Sequence, residues 1–216
     1  MKNVIITGAT GMVGGIVLRE CLNSAEIGKI TSMVRRPSGV NHPKLEEVIH
    51  PDFMSYEGAE SHFENIDAAY FCIGAYSGAV PDDKFKQITV DFTTIFADAL
   101  KQKSPKATFC LLSGQGADQA EKSRVPFAKY KGMAENYLIK QGFGNLYIFR
   151  PAYIYPVEQR EEPNLMYRVS RKLYPFLKNI LPSMLITSEQ LGQAIFKAGI
   201  QGAEKMVLEN QDIKKV

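Results

Sequence analysis

Val4-Ile5-Ile6-Thr7-Gly8-Ala9-Thr10-Gly11-Met12-Val13-Gly14 joins an apolar triplet to glycines spaced G-x-x-G-x-x-G. Val4, Ile5 and Ile6 form the kind of short run that a strand buried on both faces requires. Ile16, Val17, Leu18 and Leu22 then recur at helical spacing, so the segment reads strand, glycine turn, helix. Gly8 lets the chain leave the strand tightly, Gly11 removes a side chain where an anion must approach the backbone, and Gly14 lets the helix pack close to the strand. The amides at the helix start, aided by its dipole, face that anion, and a strand before and a helix after are the context a dinucleotide pyrophosphate needs.

Working outward, Lys29-Ile30-Thr31-Ser32-Met33-Val34 reads as a second strand and is followed directly by Arg35-Arg36. The end of this strand is where a dinucleotide fold meets the adenosine ribose. An acidic residue would accept from a ribose 2′-hydroxyl, whereas Arg35 and Arg36 carry guanidinium forks suited to a 2′-phosphate. NADP is therefore expected in preference to NAD. Leu45 to Phe53 reads as a third, shorter strand ending in Asp52, from which a carboxylate and a neighbouring amide can meet an adenine edge. His42, His50 and His62 share no ligand spacing, so no metal site is expected.

Further along, Ala68 to Ile73 is a fourth strand closed by Gly74, and Ala107 to Leu112 a fifth, broken by Ser113-Gly114-Gln115-Gly116. Leu146 to Phe149 is a sixth, ending in Arg150-Pro151. Phe85, Ile88, Phe92, Ile95, Phe96 and Leu100 mark one long amphipathic helix from Asp82 to about Lys101, with Asp82 or Asp83 near its cap. A second helix runs from about Val125 to Gln141. This alternation predicts an α/β protein with a single doubly wound parallel sheet and ligands at the strands' C-terminal ends. Glu158 to Pro163 is a polar connection, and Leu165 to Tyr174 a basic amphipathic stretch read as capping its own domain rather than lying on a membrane. Ser188 caps a last helix, and Lys205 to Leu208 is an edge strand. The expectation is one domain over residues 1–216, with residues 153–185 as a small C-terminal cap on the substrate side.

The chain has 216 residues, 45% of them hydrophobic, which suffices for one sizeable core. A net charge of +3 without a like-charge block argues against a nucleic-acid partner. Cys21, Cys72 and Cys110 are odd in number and set within apolar runs, so they read as buried thiols of a reducing compartment. No run reaches the ~18 apolar residues of a membrane span, and the first residues enter a strand without a signal-peptide pattern. A cytoplasmic location and a small-molecule substrate are expected, with a protein partner only if the role is regulatory.

These landmarks resemble the short-chain dehydrogenase/reductase superfamily, and within its atypical branch the small Tat-interacting-protein-like oxidoreductases. The resemblance rests on Thr7 to Gly14, Asp52-Phe53, Phe71 to Gly74, Leu111-Leu112-Ser113 with Gly116-Ala117-Asp118, Lys131-Gly132 with Glu135, and Phe149-Arg150-Pro151. It implies a Rossmann fold in which the loop of Gly8, Thr10, Gly11, Met12, Val13 and Gly14 holds the pyrophosphate. Arg35 and Arg36 would take the 2′-phosphate, Asp52 and Phe53 the adenine, Cys72, Ile73 and Gly74 the ribose, and Pro151, Ala152, Tyr153 and Ile154 the nicotinamide.

The family's catalysis uses a Ser after the fifth strand and a Tyr-x-x-x-Lys pair on the next helix. Ser orients the carbonyl, Tyr protonates it as hydride arrives, and Lys binds the ribose while lowering the Tyr pKa. Ser113 and Lys131 match, so both are candidate catalytic residues, but Phe127 stands where the tyrosine belongs. Tyr130 lies one residue from Lys131, about 100° around a helix, and points elsewhere. Tyr76 and Tyr153 are candidate relocated donors. Two functions follow: an NADP(H)-dependent oxidoreductase acting on a small carbonyl or sugar-like substrate, and a non-catalytic NADP(H)-sensing or scaffold protein.

Overall fold

A computed structural model describes residues 1–76, 78–158 and 182–216. Seven strands, β1 (Lys2–Thr7), β2 (Ile27–Val34), β3 (Leu45–Ile49), β4 (Ala68–Phe71), β5 (Thr108–Leu112), β6 (Asn145–Arg150) and β9 (Val207–Glu209), form one sheet in the order β3-β2-β1-β4-β5-β6-β9. Every pairing in it is parallel. The chain winds outward from β1 through β2 to β3, then returns to β4 and winds the other way. The direction reverses between β1 and β4, so the carboxyl ends of these two strands diverge and leave a crevice there.

Helices cover both faces. On one lie α1 (Met12–Asn23) and α5 (Ser188–Gln201), whose Val13, Val17, Leu191 and Ile195 pack with Val4, Ile6 and Tyr70 of the sheet. On the other lie α3 (Phe92–Lys103) and α4 (Pro126–Gln141), which bury Phe96, Leu100 and Leu138 against Ile5, Phe71, Phe109 and Ile148. Burial on both faces is why β1, β4 and β5 are almost continuously apolar.

Several local expectations are corrected. The third strand ends at Ile49, short of Asp52, because the His50 amide makes a last bond to the Val34 carbonyl at 2.7 Å and Pro51 has no N–H to continue. Asp52 instead closes a turn, its Oδ1 accepting from the Met54 amide at 2.8 Å. The helix expected from Asp82 to Lys101 consists of α2 (Asp82–Lys86), a π-helical turn (Gln87–Asp91) and α3, and neither Asp82 nor Asp83 caps it with a side chain. The extra residue of such a turn re-aims the side chains on either side of it, here Ile88 and Phe92. The cap of α5 is Thr187 rather than Ser188: Thr187 Oγ1 accepts from the Gln190 amide at 3.1 Å, and Gln190 Oε1 accepts from the Thr187 amide at 3.2 Å.

A second, two-stranded parallel sheet, β7 (Tyr153–Tyr155) with β8 (Leu185–Thr187), was not foreseen. Asn210, the first residue of the short helix α6 (Asn210–Ile213), ties it to the main sheet. Its Oδ1 accepts from the Ala152 amide at 3.0 Å, and its Nδ2 donates to the carbonyls of Ser183 and Leu185. The amphipathic stretch expected over residues 165–174, and most of the cap expected over 153–185, lie outside the described residues.

Candidate dinucleotide and catalytic site

The turn after β1 is built as the glycines require. Gly8 has φ +78°, a left-handed conformation that costs other residues energy, and a Cβ on it would fall 2.7 Å from the Cys72 carbonyl. Gly11 is the N-cap of α1 and, having no side chain, leaves the first turn uncapped; that turn also holds no acidic residue. Its free amides and the helix dipole are therefore available to an anion.

Two cavities open on either side of this turn and share Gly11, Cys72, Ile73 and Gly74. One, about 200 Å³, lies toward β2 and is lined by Gly8, Thr10, Met33, Arg35, Phe53, Ile88 and Phe92. The other, about 230 Å³, lies toward β5 and is lined by Met12, Val13, Tyr76, Leu112, Ser113, Phe127, Lys131 and Ile154. Together they form a crevice over the reversal point of the sheet, with Arg35 at one end and Ser113 and Lys131 at the other. An elongated molecule with an anionic middle fits it: apolar and aromatic walls at both ends, bare backbone at the centre.

The remaining residues named for the cofactor lie around this crevice without lining either cavity. Gly14 packs beneath the Gly8 carbonyl. Arg36 and Asp52 are exposed. The Pro151 carbonyl accepts from the Gln115 amide at 2.9 Å, and the Ala152 amide is held by Asn210. Tyr153 stands on β7, one residue before Ile154. Residues the sequence did not single out also line the walls: Ile88 and Phe92, brought in by the π-helical turn, and Met33 and Leu112 at strand ends.

Ser113 continues β5 by one bond, its amide donating to the Phe149 carbonyl at 2.8 Å. Its hydroxyl donates to Glu135 Oε1 at 2.5 Å. Glu135 is wholly buried, ion-paired with Arg150, and accepts from Gln119 Nε2 at 2.9 Å. Arg150 also donates to Glu209 at 3.0 Å, and these carboxylates raise its pKa further. Glu135 entered the sequence reading only through the family resemblance, and its link to Ser113 required the fold.

Lys131 and Phe127 are one turn apart on α4 and both face the cavity. The Phe127 ring comes so close to Gly114 that a Cβ there would be 2.5 Å from its Cζ. Tyr130 turns away, donating to Asp82 Oδ2 at 2.7 Å. Cys72 is buried, which pushes its thiol up to about 12, and all three cysteines are free and buried. His50 stacks on Tyr56 and His62 meets Glu46 at 3.4 Å; among the described residues no group of three or more His, Cys, Asp or Glu is arranged to hold a metal.

Lys131 is buried and donates to the Leu112 carbonyl at 3.1 Å; desolvation pushes its pKa down to about 8, against the attraction of Glu135. Between that value and the ordinary 10.5 the unfolded chain holds the proton and the folded chain does not, so stability rises with pH across this window. The expected gain is up to ~3 kcal/mol, at about 1.4 kcal/mol per unit. Urea unfolding from pH 7 to 10 should show this rise in the apo protein, and Lys131→Met should flatten it and be more stable than the wild type at pH 7.

Comparison with known proteins agrees with a dinucleotide-binding fold. A family model described as NAD(P)H-binding matches residues 8–172. Rat (Rattus norvegicus) protein HTATIP2 is 28% identical over 75% of this chain and 66% of its own length. The mitochondrial protein FMP52 of Lodderomyces elongisporus is 30% identical over 69% of this chain and 66% of its own length. The matches thus span just under two thirds of these relatives. Among solved structures, the Bordetella bronchiseptica enzyme WbmH in complex with NAD+ superposes with a TM-score of 0.72 at 17% identity, over 97% of this chain and 75% of that one. The expectation of a cytoplasmic location is overturned by the relatives, several of which are named as mitochondrial. Buried free thiols fit any reducing compartment, so the cysteines never distinguished between them.

Proposed function

The chain belongs to the NAD(P)H-binding family, in the atypical branch of the short-chain dehydrogenase/reductase superfamily, and from that premise we propose that it is an oxidoreductase that prefers NADP(H) and carries out ordinary carbonyl reduction poorly. The observation that carries this reading is the continuous crevice running from Arg35, past the uncapped start of α1, to Ser113 and Lys131. In it the amides after Gly11 hold the pyrophosphate, Arg35 the 2′-phosphate, Phe53 and Phe92 the adenine, Lys131 the ribose, and Ile154 the nicotinamide. The bound cofactor supplies hydride. Phe127 occupies the position of the family's tyrosine and has no proton to give, so a small carbonyl or sugar-like substrate bound beside Ser113 lacks the usual general acid.

That same phenylalanine favours the second reading, a protein that binds NADP(H) to report on it rather than to turn it over. The two are separated by a carbonyl panel with NADPH, in which robust wild-type turnover excludes the sensor and shows that the proton comes from elsewhere. Cofactor choice is tested by calorimetric titration with NADPH and NADH. NADPH is expected to bind more tightly. Arg35→Glu should weaken NADPH roughly 10–100-fold, the range for losing a charge-assisted bond, and leave NADH nearly unchanged. Arg36→Glu, outside the cavity wall, should cost much less. Equal affinities in the wild type would remove the role given to Arg35.

A further inference from the structure

The hydroxyl of Ser113 has one proton, and it is committed to Glu135 Oε1 at 2.5 Å. Glu135 cannot return it: wholly buried, ion-paired with Arg150 and accepting from Gln119, this carboxylate is an acceptor only. Ser113 Oγ therefore presents lone pairs, and no hydrogen, to whatever enters the cavity it lines. Phe127, on the same wall, adds no polar atom, and Tyr76, which also lines the cavity, stands on the loop after β4 and leaves the polarity of Ser113 itself unchanged. Lys131 gives one N–H to the Leu112 carbonyl and, in the reading above, gives its others to the ribose. A carbonyl oxygen set against Ser113 meets acceptor facing acceptor, whereas a hydroxyl is accepted.

We propose that this cavity selects a ligand that presents a hydroxyl to Ser113, an alcohol or polyol, over its carbonyl counterpart, and that Glu135 is the positioning residue that fixes this polarity. The proposal rests on the dinucleotide reading for the cavity's place beside the nicotinamide. The orientation of Ser113 is a property of the chain itself.

The test uses a pair of probes matched in shape. Protein saturated with NADP+ is titrated with cyclohexanol and with cyclohexanone, and binding is followed by the amide NMR shifts of Gly114 and Phe127. The alcohol is expected to bind about tenfold more tightly, the worth of one hydrogen bond made rather than an acceptor left unpaired. Ser113→Ala removes the acceptor and should bring the two probes within about twofold. Glu135→Gln can turn an amide N–H toward Ser113, freeing the serine proton, and should erase or reverse the preference. A loss of packing alone would weaken both probes together. Should Glu135→Gln fail to fold by thermal melting, Ser113→Ala, which leaves Glu135 paired with Arg150 and Gln119, still decides the matter. A ketone bound as tightly as the alcohol in the wild type, a preference that survives Ser113→Ala, or no binding of cyclohexanol up to its solubility limit overturns the proposal. If NADP+ itself does not bind, the dinucleotide reading fails at the first step, and the same titrations without nucleotide still report the polarity of Ser113.

Discussion

Gly14→Ala is expected to lower affinity for NADP(H) roughly 10²-fold, about 2.7 kcal/mol, and to destabilise the fold by ~1–3 kcal/mol. The added Cβ would fall 2.1 Å from the Gly8 carbonyl oxygen, 2.7 Å from its carbon and 3.1 Å from the Cys72 side chain. The first two are backbone atoms, so no side chain can swing aside. Either α1 retreats or the turn after β1 deforms. Gly11, which lines both cavities, and Met12 and Val13, which line the one toward β5, move with the helix. Gly15→Ala is the control: its Cβ meets the Ala9 carbonyl at 3.2 Å, a gap that a shift of a few tenths of an ångström restores. That loss is offset by the higher helix propensity of alanine, ~1 kcal/mol. Calorimetry with NADPH and urea unfolding of both variants distinguish the two glycines. If Gly14→Ala binds as the wild type does, the close approach of helix to turn is not what shapes the crevice.

The doubly wound sheet was legible because its evidence is local: each buried strand is a short apolar run and each helix a three-and-four pattern, and the two alternate. What escaped depended on distant partners or on single residues. β7 and β8 pair across about thirty positions of intervening chain, and each has only three residues, too few for any periodicity to register. The π-helical turn inside the helix starting at Asp82 leaves the spacing of apolar residues almost intact, so Ile88 and Phe92 read as core when they also wall the crevice. The end of the third strand turned on Pro51, whose missing N–H outweighed the strand-like residues before it.

The candidate site was legible in its parts and not in its wiring. Ser113 and Lys131, which the family resemblance paired, line one cavity. Arg35 and Arg36 are adjacent in sequence, yet only Arg35 reaches a cavity wall, because consecutive residues leaving a strand diverge. Glu135 was visible only as part of a family resemblance. Its buried bonds to Ser113, Gln119 and Arg150 join a helix, a loop and two strand ends that lie far apart in the chain, and no spacing rule connects them.

Phe127→Tyr is expected to raise NADPH-dependent reduction of small carbonyls by ~10²–10⁴, the usual worth of a positioned general acid. Phe127 stands one helical turn before Lys131 on the same cavity wall, with its Cζ directed at Gly114, the neighbour of Ser113. A phenol oxygen added at Cζ comes out beside Gly114, and because the ring already lies close to that residue it must tilt to seat the hydroxyl. Ser113, its own proton held by Glu135, can accept from that phenol but cannot substitute for it. Lys131, which even with its pKa pushed down to about 8 is still mostly an ammonium at neutral pH, supplies a nearby positive charge that favours the phenolate form and so lowers the pKa of the new tyrosine. The gain should therefore appear in kcat, fall again in the double variant Phe127→Tyr/Lys131→Met, and leave NADPH affinity within a few-fold of wild type. Initial rates over an aldehyde and ketone panel, with single-turnover oxidation of bound NADPH to isolate the chemical step, check this. If the substitution adds nothing while NADPH still binds, the barrier lies in substrate binding rather than in the missing acid; if the wild type already reduces the panel as fast as the variant, position 127 was never where the proton enters.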